Sequence, residues 1–179
     1  MKRVSIALMA IVLAATGLLI LKLRNLQART AAVGQSASIR GRKAPDFALE
    51  SVDGRTVHLS DFHGRAVLVH FWATSWLPCR VEMQWFEMMH KRYGPQGLQV
   101  LGIEMGSTDK TDIMDYVNNL GIDYPILLGT DHVGNSYEVR ELPATVYVGR
   151  NGKIVEKVLG VKEHDEIEAE VKKALNRRR

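Results

Sequence analysis

Apolar and polar positions change period several times along the chain, and each change marks an element. Ala66–Trp72 (Ala-Val-Leu-Val-His-Phe-Trp) is short, β-branched and aromatic, the composition of a buried strand. Residues 79–93 are rich in Met and Glu and run into Gly94-Pro95, which predicts a helix with its stop signal. Leu98–Glu104 reads as a second strand, and residues 110–120 read as a helix closed by Gly121. Residues 145–149 and Ile154–Leu159 flank Arg150-Asn151-Gly152-Lys153. An Asn-Gly pair tolerates positive φ at both turn centres, so a hairpin is expected there. Residues 164–175 place apolar side chains at 167, 171, 174 and 175, the spacing of a final amphipathic helix. Strand, helix, strand, helix, hairpin and helix together predict an α/β domain with a mixed sheet covered on both faces.

The first 43 residues follow a different pattern. Residues 4–21 carry no charge and are apolar except for Ser5 and Thr16, between Lys2-Arg3 and Lys22 with Arg24. Eighteen helical residues reach roughly 27 Å, close to the ~30 Å of a bilayer core. A cleaved signal carries a small-x-small site directly after a shorter apolar run. Here Lys-Leu-Arg-Asn follows, so residues 1–24 are read as an uncleaved anchor. Both flanks are basic, and charge does not set the orientation. Residues 25–43 are small, polar and basic, as in a linker. The folded domain is expected over 44–179.

Composition alters this picture in two places. The sequence pI near 9.3 suggests nucleic acid. Yet residues 1–43 hold eight Lys and Arg and no acid, while residues 44–179 hold 16 basic and 20 acidic residues, a formal charge of −4. The basicity belongs to the leader, which argues against a nucleic-acid partner. The single cysteine, Cys79, excludes an intrachain disulfide. No His, Cys, Asp or Glu spacing fits a metal, and no cofactor motif is present.

Cys79 stands where a strand runs through a short loop into a helix. The partial positive charge of a helix N-terminus favours thiolate over thiol. A lone Cys just inside a helix can equally pack as a small hydrophobe.

The segment Phe71-Trp72-Ala73-Thr74-Ser75-Trp76-Leu77-Pro78-Cys79-Arg80 resembles the active-site segment of the thioredoxin superfamily, in its TlpA/ResA branch. The usual form there is Phe-Trp-Ala-Thr-Trp-Cys-x-Pro-Cys-Arg. The resemblance covers roughly residues 44–175. It includes Ala44-Pro45-Asp46-Phe47, Leu59-Ser60-Asp61-Phe62 before Gly64, and Tyr124-Pro125-Ile126-Leu127-Leu128-Gly129. Leu142-Pro143-Ala144-Thr145 follows, ahead of the Asn151-Gly152 hairpin. It implies a thioredoxin-like fold and thiol–disulfide oxidoreduction on cysteine-containing proteins outside the bacterial cytoplasmic membrane, in the periplasm or at the cell exterior, often in cytochrome c maturation.

Position by position, the resemblance implies that Cys79 is the second, buried, resolving cysteine. Trp76 falls on the first, exposed nucleophile. Pro143 falls on the cis-proline facing the cysteine loop, and Glu82 on a carboxylate beside the cysteine pair, with a solvated helix residue as its alternative. His70 falls where thioredoxin carries a buried Asp, behind the second cysteine. There it could accept a proton from Cys79 or be a satisfied core histidine.

Trp76 removes the attacking thiol, and disulfide exchange starts with that attack. Three readings follow. The first cysteine has been lost from an otherwise retained site, since Cys and Trp codons differ by one base. Or the fold is reused as a binding module with Trp76 as an aromatic anchor. Or Cys79 runs one-cysteine chemistry. Peroxiredoxins do so with Thr-x-x-Cys, and Trp76 occupies their threonine position.

Overall fold

The computed structural model describes residues 16–22, 39–106 and 108–177. The chain divides into two compact units, Met1–Ser38 and Ile39–Arg179. In the first, residues 16–22 are helical with Leu18, Leu19, Ile20 and Leu21 exposed. No helix of the described residues is long and apolar enough to cross a membrane, and most of the expected anchor lies outside them. The second unit begins at Ile39, five residues before the expected boundary. Ile39 is buried, Gly41 N–H donates to Ile154 O at 2.8 Å, and Ala44 N–H donates to Gly152 O at 2.9 Å. Residues 39–43 therefore belong to the domain and not to the linker.

A short antiparallel hairpin, β1 (Ala48–Glu50) and β2 (Thr56–His58), opens the domain and is followed by the 3₁₀ turn Leu59–Phe62. The main sheet holds β3 (Ala66–Trp72), β4 (Leu98–Glu104), β5 (Ile126–Leu128), β6 (Ala144–Val148) and β7 (Ile154–Leu159). Their spatial order is β5-β4-β3-β6-β7. β3 pairs parallel with β4 and antiparallel with β6, so the sheet is mixed, as expected. All seven residues of β3 are buried, which a central strand covered on both faces requires. The helices are α1 (Pro78–Tyr93), α2 (Lys110–Asn119), α3 (Asp131–Ser136) and α4 (His164–Asn176).

Alternation along β3 divides the core. Ala66, Leu68 and Trp72 pack with Met83, Phe86 and Met89 of α1, Ile113 and Val117 of α2, and Ile167 and Val171 of α4. Val67, Val69 and Phe71 face the other way, against Val133 of α3, Tyr137 and the N-terminal segment through Phe47, Leu49 and Leu59. The second face is thus closed by a hairpin, a turn and one short helix.

The β6–β7 hairpin forms by a route other than the expected one. Gly152 alone takes positive φ, at 71°, and Asn151 does not. Asn151 Oδ1 instead accepts from Lys153 N–H at 3.1 Å, and a register shift at Tyr147/Val148 absorbs the extra residue.

Candidate functional site at the end of the central strand

β3 delivers the chain at Trp72 to the carboxyl end of the sheet, where a five-residue loop leads into α1. Trp76 N–H donates to Ala73 O at 3.1 Å, and Cys79 N–H donates to Trp76 O at 3.1 Å. Pro78 opens the helix, where its missing N–H costs nothing. The turn sends neighbouring residues opposite ways: Trp76 is 51% exposed and Leu77 73%, while Cys79 is 0% exposed.

Glu104, at the end of β4 beside Trp72, fixes the loop. Its Oε1 accepts from Thr74 N–H at 3.3 Å and Thr108 Oγ1 at 3.4 Å, and its Oε2 from Gly106 N–H at 3.0 Å. Thr74 and Thr108 share a 2.6 Å hydroxyl contact. The sequence reading missed this carboxylate. Its signal was an acid closing a mostly apolar strand.

The Leu142–Pro143 bond is cis. The Phe71–Ala144 pairing sets Pro143 beside the point where the chain leaves β3. Pro143 O accepts from Gly160 N–H at 2.8 Å, and two residues on, Lys162 N–H donates to Glu82 Oε1 at 3.0 Å. The 160–162 loop thereby joins Pro143 to the first turns of α1.

Glu82 is buried, which overturns the solvated alternative. Its Oε2 lies 3.6 Å from His70 Nε2, and His70 is also fully buried, its ring edge-on to Phe86 with centroids 4.7 Å apart. The histidine thus faces Glu82, and no hydrogen bond joins it to Cys79 among the described residues. Burial lowers the His70 pKa to about 3. Burial raises Glu82 to about 7, opposed by the Lys162 N–H. Two buried charges would each lose hydration that a 3.6 Å contact does not return, so below about pH 7 the pair is a neutral imidazole beside a carboxylic acid, and above it Glu82 is a carboxylate beside a neutral imidazole. Burial also pushes the Cys79 thiol up, with the Ala73 main chain opposing and the Glu82 charge adding. Desolvation outweighs the helix N-terminus, and the thiol stays protonated at neutral pH.

These five positions, 70, 76, 79, 82 and 143, come together at one end of the sheet, but only the buried ones form a connected cluster. One group elsewhere, His164, Asp165 and Glu168, brings ligand-type atoms within 4.8 Å of one another. Glu168 there already holds Tyr93, Arg92 at 2.9 Å and Lys172 at 3.2 Å, so its charge is spent on cations.

Residues 40–157, spanning both the Trp76–Cys79 loop and Pro143, match the AhpC/TSA family. The chain belongs to that family. Within it, the chain is 31% identical over 128 residues to the thiol-disulfide oxidoreductase ResA of Bacillus subtilis, covering 71% of each chain. It is 32% identical to ResA of Geobacillus thermodenitrificans over 128 residues, 71% of this chain and 73% of that one. Its fold is similar to the thioredoxin domain of a thiol-disulfide oxidoreductase from Bacteroides vulgatus, with TM-score 0.69 and 26% identity over 76% of this chain and 98% of that chain. This AhpC/TSA member is thus a thioredoxin-like protein of the thiol–disulfide oxidoreductase type, with one cysteine.

Proposed function

We propose that this protein engages cysteine-bearing proteins outside the cytoplasmic membrane, held there by residues 4–21, and does not complete a dithiol–disulfide cycle of its own. The observation that carries this is the contrast between two positions three residues apart: Trp76 half-exposed where the attacking thiol belongs, and Cys79 fully buried. In exchange, a thiolate attacks one sulfur of the substrate disulfide, a mixed disulfide forms, and the other sulfur leaves as thiolate. An indole offers no such electron pair. Cys79, buried and with its pKa raised, is not placed to attack instead.

A second feature favours docking over simple loss of activity. Trp76, Leu77 and Val81 are all at least half exposed, and the 160–162 loop brings the exposed Val161 to the same end. Beyond them, Met88 and Met114 are the exposed large apolar side chains among the domain's described residues. Exposed apolar groups gathered at one place mark a contact surface. One-cysteine chemistry is the least supported reading, because it needs a reachable thiolate.

The test is reduction of insulin disulfides by dithiothreitol with residues 39–179. The wild-type domain should stay at background, and Trp76→Cys should accelerate turnover. Wild-type turnover equal to that of the variant would overturn the proposal.

A further inference from the structure

The pole of the domain opposite Cys79 has a different surface. There β3 begins, the β6–β7 hairpin turns, and α1 and α4 end. Arg150, in the turn, donates to Leu175 O at 2.9 Å, to Gln96 O, and to Gly64 O at 3.3 Å. It closes two helix C-termini, and its partners are carbonyls, so no carboxylate cancels its charge. Arg65 likewise donates to Leu98 O at 2.8 Å. Lys43, Lys153 and Arg177 have no ion pair among the described residues. A Cβ on Gly149 would lie 2.8 Å from Arg177 Cβ, which sets that residue beside the turn, and Arg178 and Arg179 follow in sequence. Two carboxylates also stand at this pole, and main-chain amides anchor them without removing their charge, against the five cations Lys43, Arg65, Arg150, Lys153 and Arg177. Asp46 Oδ1 accepts from Phe47 and Ser60, each at 3.0 Å, and Asp61 Oδ2 accepts from His58 at 2.8 Å. A cleft of about 130 Å³ is lined by Lys43, Arg65 and Arg150, by Asp46, and by Leu59, Phe62 and Val148.

We propose that this pole docks on anionic phospholipid headgroups. Charge complementarity is the first reason: the cations concentrate here although residues 44–179 carry 20 acids against 16 bases. The second is where the chain enters. Residues 41 and 44 are hydrogen-bonded into the β6–β7 hairpin at this same pole. Residues 22–38 separate the pole from the apolar run, and at full stretch they reach at most about 60 Å. A basic surface tethered so close meets the headgroup layer at high effective concentration. The inference rests on the reading of residues 4–21 as an anchor.

The test is lysine acylation of the full chain, reconstituted in phosphatidylcholine vesicles with or without phosphatidylglycerol. With phosphatidylglycerol, Lys43 and Lys153 should react about tenfold more slowly, recovering in high salt, because surface attraction is screened. Lys110 and Lys162 should be unaffected. Lys153→Glu should weaken the protection of Lys43. Equal rates for Lys43 and Lys153 in both vesicles would overturn the docking surface, even with the chain firmly anchored. A chain that floats only with the anionic vesicles would remove the anchor and retain the docking surface. A chain that floats with neither would overturn both.

Discussion

The two faces of the central sheet are built to different standards. Behind β3, Val67, Val69 and Phe71 meet an apolar cluster, and the buried polar side chains on that face are bonded to main-chain carbonyls: the Tyr137 hydroxyl donates to Pro45 O at 2.6 Å, Lys157 Nζ to Glu138 O at 2.6 Å and Gln99 Nε2 to Val100 O at 2.9 Å. On the face toward α1, the same strand presents His70. There His70, Trp72, Glu82, Tyr116, Tyr124 and Thr145 all hold buried polar atoms with no hydrogen-bond partner among the described residues. An unpaired buried polar group costs about 1–3 kcal/mol. The far face is scaffold, and the near face carries the candidate site, with its polar groups turned inward and its apolar ones, Trp76, Leu77 and Val81, exposed.

The largest effect should come from the scaffold. Phe71→Ala removes a fully buried ring packed on Tyr137, with centroids 5.4 Å apart, and should cost about 3–5 kcal/mol in urea unfolding. A cost below that of any near-face substitution would erase the distinction.

Next comes the pH dependence of the buried pair. Glu82 titrates near 7 in the fold against an ordinary 4.5, so the folded state keeps a proton that the unfolded chain releases, and stability falls as pH rises from 4.5 to 7. His70 titrates near 3 against 6.5, so the unfolded chain takes up a proton that the folded state refuses, and stability falls as pH drops from 6.5 to 3. Between 4.5 and 6.5 these trends oppose each other. Folding there moves one proton from histidine to carboxylate with no net uptake. His70→Asn should expose the Glu82 trend, a loss of about 3 kcal/mol between pH 4.5 and 7. Glu82→Gln should expose the opposite slope, with stability rising from pH 3 to 6.5. Flat profiles in both variants would show that the pair is hydrated.

Smaller still, Glu104→Ala leaves the Thr74 and Gly106 amides without their acceptor and should cost about 2 kcal/mol. By freeing the loop it should also speed maleimide labelling of Cys79. Unchanged labelling would mean that Glu104 does not hold the site closed. Trp76→Ala should change stability by no more than about 0.5 kcal/mol, as expected of a half-exposed residue. A larger loss would make Trp76 part of the core and weaken its reading as a contact group.

The long elements were legible because they repeat. β3, α1, α4 and the hairpin each carry enough residues to show a period. β1, β2 and β5 have three residues each and α3 has six, too few for a period to stand out. The site was legible as positions, through one contiguous motif and Pro143, but not as contacts. Glu82 reads as a solvated helix residue until the 160–162 loop, eighty residues on, is folded over it. His70 pairs with Glu82 because α1 brings that carboxylate to β3, a contact no local spacing announces. The domain boundary was placed at Ala44 and not at Ile39 because Gly41 looks like linker until the hairpin it bonds to is in place.

The central claim is that Cys79 is chemically quiet behind an exposed tryptophan. Thiolate absorbance near 240 nm, followed against pH in the native protein, tests it most directly. Burial and the nearby Glu82 carboxylate predict no thiolate at pH 7 and a midpoint above the ordinary thiol value of 9.0, little changed in His70→Asn. A thiolate band already present at pH 6, and lost in that variant, would establish an imidazolium–thiolate pair and contradict the account.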